Sequence, residues 1–400
     1  MKIKIPKNNQ GILKDIGLFC LENNIKIYAV GGCVRDWFLG FESKDIDLLL
    51  GHDIEKVAVY IRRKYKAKIE YFKSFLTYRC FLGNQVRIDL AHFRSEKYTA
   101  IAALPEVKKS YFIKEDLKRR DFSVNSLAMD ITPSHGCLTK GDLKTMAMAT
   151  RGAVRQDCLW EIIDLFGGIK DIKTGKVKIL HKRSFIDDPT RIFRAAKFCA
   201  RFKWRPDALT LKLIKRAVKK DLPYLLSRER VKNELLRILE EKKPEAVFKL
   251  LADWSMLKYI HREFKVFNNI CVFAAPEKKL ALIACKMKTS GLGFLKSLEL
   301  KRDLFLKLKE IILINSLKES PRNSIGEFEK SVLTTLNPRL TKYSLKPLMI
   351  NGFDLKKAGL SQNSKYREIL SKAARAQWKG VFKNRKEALV WLKKHCLKNI

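Results

Sequence analysis

The chain has few of the marks of an exported, membrane-embedded or zinc-dependent protein. No apolar stretch approaches the roughly 20 residues of a membrane span, and the start, Met-Lys-Ile-Lys-Ile-Pro-Lys, has no apolar signal core, so a cytoplasmic location is expected. Cys-x-x-Cys spacing is absent, and the 9 cysteines are odd in number and set mostly in apolar surroundings, as at Cys20, Cys199, Cys271 and Cys285. Reduced core thiols are expected from that pattern. The 6 histidines are scattered and form no His-Glu-x-x-His pair, which argues against a zinc site. Negative charge is also scarce: 42 acidic residues face 83 Lys and Arg, a net +41 that exceeds any need of solubility and calls for a polyanionic partner. Among 400 residues, 46% are apolar, enough for real cores in two or three packed units.

Chemistry concentrates in residues 25–50. Ile25, Ile27, Ala29 and Val30 form a β-prone run that Gly31-Gly32 breaks, and Arg35 follows one helical turn later. Backbone N–H groups at such a corner, with a guanidinium beside them, suit phosphate oxygens. Asp45 and Asp47 then head an apolar strand, where a period of two points both carboxylates to one face. Paired hard oxygen ligands call for Mg²⁺ shared with substrate phosphates. An isolated Asp-x-Asp or Gly-Gly is more often a solvated turn, so it is their order along the chain that carries the signal.

That order, Gly31 to Asp36, Leu39, Gly40, then Asp45 and Asp47, resembles the first motif of the polymerase β-like nucleotidyltransferases, specifically the class II tRNA nucleotidyltransferase and bacterial poly(A) polymerase family. In Gln-Val-Arg-Ile-Asp-Leu-Ala an acid sits inside an apolar strand. Alone it could be an edge residue facing water, but the resemblance makes Asp89 the third carboxylate. Residues 116–128 match the Arg-Arg-Asp-Phe-Thr-x-Asn-Ala motif, with Ser123 and Ser126 departing from it. Arg120 can fork onto phosphate or ribose, while Asp121 and Asn125 can accept sugar hydroxyls or orient the arginines. Residues 163–172, with Gly167-Gly168, resemble a third motif and read as a structural, hinge-like turn.

Residues 184–202 read as a helix start and helix, capped by Asp187 and Asp188 with Pro189 in the first turn. Arg191, Arg194, Lys197 and Arg201 form a basic stripe that would ordinarily be a solvated face, but it resembles the family's Glu-Asp-x-x-Arg-x-x-Arg-x-x-Arg motif. Cytosine and adenine both offer an amino donor beside a ring acceptor, so Asp188 could accept and Arg191 donate, with Arg194 and Lys197 adding contacts. Uracil or guanine would leave groups unpaired at about 1–3 kcal/mol each. Lys197 stands where the family has a third arginine and Asp187 where it has Glu.

Elsewhere the period predicts helices at 9–23, 54–66, 207–219, 228–241, 243–252 and 300–316, strands at 67–72, 77–82 and 85–91, and a loop over Ser95–Ser110. Residues 132–158, with Gly136, Gly141 and Gly152, read as an irregular connection. The tail from Ile350 to Leu360 resembles the family's Gly-x-Asp-Leu…Gly element, though Ser361-Gln362 replaces the Pro-Gly expected next.

The expected fold is α+β: a small mixed-sheet head at 1–140, an all-α neck with the base-recognition motif at 141–255, and a helical body and tail at 256–400 that binds tRNA. The resemblance implies addition of CCA, or only its terminal A, to tRNA from CTP and ATP without a template. Asp45, Asp47 and Asp89 would hold two Mg²⁺, and Gly31, Gly32, Arg35, Arg120, Asp121, Asn125, Asp188, Arg191, Arg194 and Lys197 would bind the nucleotide. The expected partner is tRNA, acceptor end and body, with no membrane and no DNA. Poly(A) synthesis and a non-catalytic RNA-binding protein on the same scaffold are the alternatives.

Overall fold

The computed structural model describes residues 2–73, 76–83, 86–132, 159–321, 324–340, 344–358, 360 and 364–396. Most of the 132–158 connection, including its glycines, and Gly359 of the tail element lie outside these residues. The chain forms two compact units, residues 1–225 and 226–400.

The first unit is built on one mixed sheet. Strand β1 (Lys2–Lys4) and helix α1 (Lys7–Glu22) precede β2 (Ile27–Val30), α2 (Gly32–Phe38), β3 (Asp45–Leu50) and α3 (Ile54–Tyr65). Then come β4 (Lys68–Phe72), β5 (Thr77–Phe81), β6 (Arg87–His92), β7 (Arg94–Lys97), β8 (Glu106–Lys109), α4 (Ile113–Lys118), β9 (Leu127–Asp130) and β10 (Leu159–Asp164). The sheet order is β1-β10-β9-β2-β3-β6-β5-β4, so a strand from beyond residue 140 completes the head. Its central pair, β3 and β6, is parallel and carries apolar residues on the face turned inward: Ile46, Leu48, Leu50, Ile88 and Leu90 are buried. A parallel pair needs a long crossover, which α3 and the β4–β5 hairpin provide. The 95–110 stretch is not a loop: β7 and β8 pair antiparallel, Glu96 opposite Val107. Charged residues on both faces of that ribbon hide the alternation that would announce it.

Helices α5 (Gly168–Lys173), α6 (Ser184–Asp187), α7 (Thr190–Phe202) and α8 (Ala208–Lys219), with the short strands β11 (Lys176–Val177) and β12 (Arg205–Pro206), finish this unit. The glycines of the third motif are structural. The Asp164 carboxylate accepts from Gly168 N at 2.8 Å and Ile169 N at 2.9 Å, capping α5. A Cβ on Gly168 would lie 2.3 Å from the Ser123 carbonyl oxygen, so only glycine lets α5 approach that backbone.

The second unit is helical throughout its described residues: α9 (Arg228–Leu239), α10 (Pro244–Asp253), α11 (Leu257–Ile260), α12 (Pro276–Lys286), α13 (Gly291–Ser297), α14 (Arg302–Leu317), α15 (Glu327–Leu336), α16 (Gly352–Lys357), α17 (Ser364–Trp378) and α18 (Arg385–Cys396). Phe248, Phe264, Phe267 and Phe294 form one aromatic core. Ile350, Leu355, Ile369, Ala373, Phe382 and Leu392 form another in the tail. Lys279 is buried with its Nζ on the Leu239 and Glu241 carbonyls, satisfying the end of α9. Among the described cysteines, Cys20, Cys199 and Cys285 are buried free thiols as expected, but Cys271 is exposed. No helix of the described residues is long and apolar enough to cross a membrane.

Candidate active site

Register builds the carboxylate cluster. Asp47 on β3 lies directly opposite Asp89 on β6, and Asp45 lies opposite Arg87, so all four side chains share one face of the sheet. The three carboxylates do not converge on one point, and among the described residues no three acidic, histidine or cysteine side chains are gathered tightly enough to hold a metal as they stand. The reason is local pairing. Arg79 on β5, opposite Asp89, grips both of its oxygens at 2.9 Å. Arg87 Nε lies 3.3 Å from Asp45 and 3.8 Å from Asp89.

Asp47 differs from both. Its carboxylate has no hydrogen bond or ion pair among the described residues, and its pKa is raised, first by burial and then by Asp89 and Asp45, against the opposing pull of Arg120 and Arg87. A partly buried carboxylate with like-charged neighbours and no partner is a place for a cation. Oxygen donors alone, two of them adjacent across a parallel pair, suit a hard ion such as Mg²⁺, so the residues present fit the expected metal.

The glycine corner is closely packed. Gly31 has φ +77°, and a Cβ there would meet Arg120 Nη1 at 2.4 Å. Its bareness admits the Arg120 guanidinium against the backbone. Arg120 is held by Asp116, Nη2 to Oδ1 at 3.0 Å, and Arg119 takes the other oxygen at 2.7 Å. Burial pushes the Asp116 carboxyl up, yet Arg120 and Arg119 outweigh it and hold its pKa below the ordinary value. Asp116 thus anchors both motif arginines. Its position three and four residues before them is the signal that sequence reading passed over.

Arg35 lies beside the glycine corner, its Nη2 3.7 Å from where a Cβ on Gly32 would stand, and is held by the protein's own groups. It is buried, donates to Asp36 at 2.7 Å and to Asn125 Oδ1, and its guanidinium carbon lies 5.0 Å from the ring centroids of both Phe198 and Phe202 on α7. Asp121 continues this lattice, accepting from Phe122 N and Asn125 Nδ2, each at 2.9 Å, and from Arg194 at 2.6 Å. Burial raises its pKa, but Arg194, Asn125 and Arg191 bring it down to about 2. Of the two roles open to Asp121 and Asn125, orienting arginines is the one these contacts perform.

The residues expected to recognise the base lie at the start of α7. Asp188 Oδ1 accepts from Thr190 N at 2.9 Å and from its hydroxyl at 2.5 Å, so it caps the helix as expected. Asp187 instead pairs with Arg183 at 3.2 Å. Arg191 is buried, donating to Ser184 Oγ at 2.9 Å and the Arg119 carbonyl at 3.0 Å, and more loosely to His181 Nε2 at 3.3 Å and Tyr98 Oη at 3.4 Å. Lys197 is buried rather than part of a solvated stripe. A separate hollow of about 900 Å³, lined by Phe19, His52, Tyr60, Arg63 and His92, lies at the other end of β3 and β6 and includes none of the three carboxylates.

Comparison with known proteins gives these features a context. Residues 27–178 match the family model described as the poly A polymerase head domain, and residues 214–267 match a probable RNA and SrmB-binding site of polymerase A. An A-adding tRNA nucleotidyltransferase of Geobacter sulfurreducens is 31% identical over 269 residues, which are 67% of this chain and 28% of that protein. The A-adding enzyme of Halalkalibacterium halodurans is 28% identical over 63% of this chain and 54% of its own length, and a multifunctional CCA protein of Nitrosomonas eutropha is 32% identical over 59% and 49%. The chain therefore spans about half or less of the length of these relatives. Among solved structures, a CCA-adding enzyme in complex with CTP superposes with TM-score 0.64 at 24% identity, covering 98% of this chain and 96% of that one. The Thermotoga maritima CCA-adding enzyme with tRNA gives TM-score 0.59 at 22% identity over 98% and 96%. At such identity the likeness is one of fold.

Proposed function

Because the chain belongs to the class II tRNA nucleotidyltransferase and bacterial poly(A) polymerase family, we propose that it transfers nucleotides from ATP and CTP to the 3′ end of tRNA without a template, completing CCA or its terminal A. The observation that carries this reading is the unpartnered Asp47 carboxylate set in register beside Asp89.

In the proposed reaction the primer 3′-hydroxyl oxygen attacks the α-phosphorus, its proton leaves to a base, and the bond to the β-phosphate oxygen breaks, releasing pyrophosphate. Asp45, Asp47 and Asp89 would hold two Mg²⁺, which neutralise phosphate charge and acidify the attacking hydroxyl. Arg120, set against Gly31 and fixed by Asp116, supplies positive charge next to that face. Arg35, Asp121, Asn125 and Arg194 keep the motifs in mutual register, so their contribution is positioning.

Base choice falls to Asp188 and Arg191. The two longest contacts of Arg191, to Tyr98 and His181, are the cheapest to exchange for a ring acceptor on cytosine or adenine. The excess of lysine and arginine suits the phosphates of a folded RNA.

Incubating the protein with tRNAs ending at the discriminator base, at C or at CC, with single labelled nucleotides, tests the reading. Addition of CC and then A is the full activity, and A alone on CC-ended tRNA narrows it to an A-adding enzyme. Long A tails on unrelated RNA would make it a poly(A) polymerase. No incorporation on any RNA would leave an RNA-binding protein.

A further inference from the structure

Four charged residues stand side by side across the sheet in one unbroken row. Glu70 on β4 is opposite Arg79 on β5, Arg79 is opposite Asp89 on β6, and Asp89 is opposite Asp47 on β3. Directly opposed residues share a face, with Cβ atoms about 4.5–5.5 Å apart. Arg79 therefore has carboxylates on both sides, and it is committed to one of them, gripping both oxygens of Asp89 at 2.9 Å while resting 4.9 Å from the Phe72 ring centroid. Among the described residues, the ion pair of Glu70 is an exposed contact to Lys68 at 3.0 Å.

This has a direct consequence for the reading of Asp89 as a metal ligand, on which the present inference rests. Any divalent cation using Asp89 must share or displace a bidentate guanidinium, whereas one using Asp47 meets no such competitor. We propose that Arg79 is a positioning residue that acts as an internal counter-cation: it occupies Asp89 until a divalent ion arrives and then passes to Glu70. The face keeps its charges balanced in both arrangements, and the grip sets how much divalent ion is needed to assemble the site.

The test is Mn²⁺ binding to the full chain without nucleotide, followed by the paramagnetic resonance of the free ion, for wild type, Arg79→Gln, Arg79→Lys, Glu70→Gln and Asp47→Asn. Arg79→Gln removes the competitor and should tighten Mn²⁺ binding about three- to tenfold, the scale of a partly exposed charge-assisted pair. Arg79→Lys keeps the charge but loses the fork, and should fall between the two. Glu70→Gln removes the place Arg79 moves to and should weaken binding severalfold. Unchanged or weaker binding in Arg79→Gln, with wild type binding and Asp47→Asn not, overturns the role of Arg79 alone. Wild-type binding that Asp47→Asn leaves intact, or no wild-type binding at all, overturns the metal site itself and this inference with it.

Discussion

Asp47 and Asp121 are both motif aspartates within the first unit, and their environments push them in opposite directions. Asp121 is surrounded by donors, two from the backbone and side chain of its own motif and two from Arg194, and its pKa falls to about 2. Asp47 has its pKa raised by burial first and then by Asp89 and Asp45, against the pull of Arg120 and Arg87. One charge is satisfied by the protein; the other is the one the proposed reaction leaves for a bound cation. Sorting motif residues by this criterion separates the groups that build the site from those that act in it.

The sharpest way to break the comparison is to remove each carboxylate. Asp47→Ala should lower nucleotide incorporation by at least about 10²–10³-fold, the scale of losing a group that stabilises transition-state charge directly, while filter binding of tRNA is retained. Near-wild-type incorporation would end its catalytic assignment. Asp121→Ala should instead cost about 3 kcal/mol of stability in thermal or urea unfolding, because it strands Arg194 and Asn125 in a buried lattice. If Asp121→Ala unfolds like wild type yet fails to incorporate, Asp121 belongs with Asp47.

Divalent ions sharpen the contrast. At a hundredfold excess over its dissociation constant, Mn²⁺ should stabilise the wild type by about 2.7 kcal/mol per site against unfolding, and Asp47→Asn should lose that increment. Asp121→Ala should keep it.

Titration gives a smaller effect with opposite signs. The depressed pKa of Asp121 means its stabilisation is complete above the unfolded value of about 3.9 and is lost as the pH falls toward about 2. For Asp47 the raised pKa means stability is present below the unfolded value and is lost as the pH climbs through the folded one. Metal-free Asp47→Asn should consequently match or exceed wild-type stability at neutral pH, an outcome read from melting curves at pH 4 and 7. The mildest expected effect is Gly31→Ala, at about 1–2 kcal/mol, from the strained φ and from the Arg120 guanidinium that must move. It should appear first as a raised KM for nucleotide.

Much of this was legible in the chain itself. The helices 54–66, 207–219 and 228–241 appear within a residue or two as Ile54–Tyr65, Ala208–Lys219 and Arg228–Leu239, because a period of 3.6 is local information. Asp45, Asp47 and Asp89 share a face as expected from alternation. What the chain could not display was pairing between distant segments. The joining of β9 and β10 to the central sheet depends on contacts that no local pattern encodes. The two rings of α7 that flank Arg35, more than 160 residues away along the chain, were hidden for the same reason.

The crosswise alignment of β4, β5, β6 and β3 also fixes where this head can change length. Adding or deleting one residue inside β6 would turn Asp89 to the opposite face and pull every neighbour of Asp47 out of line. Single-residue deletion scanning should therefore find no tolerance between Arg87 and His92.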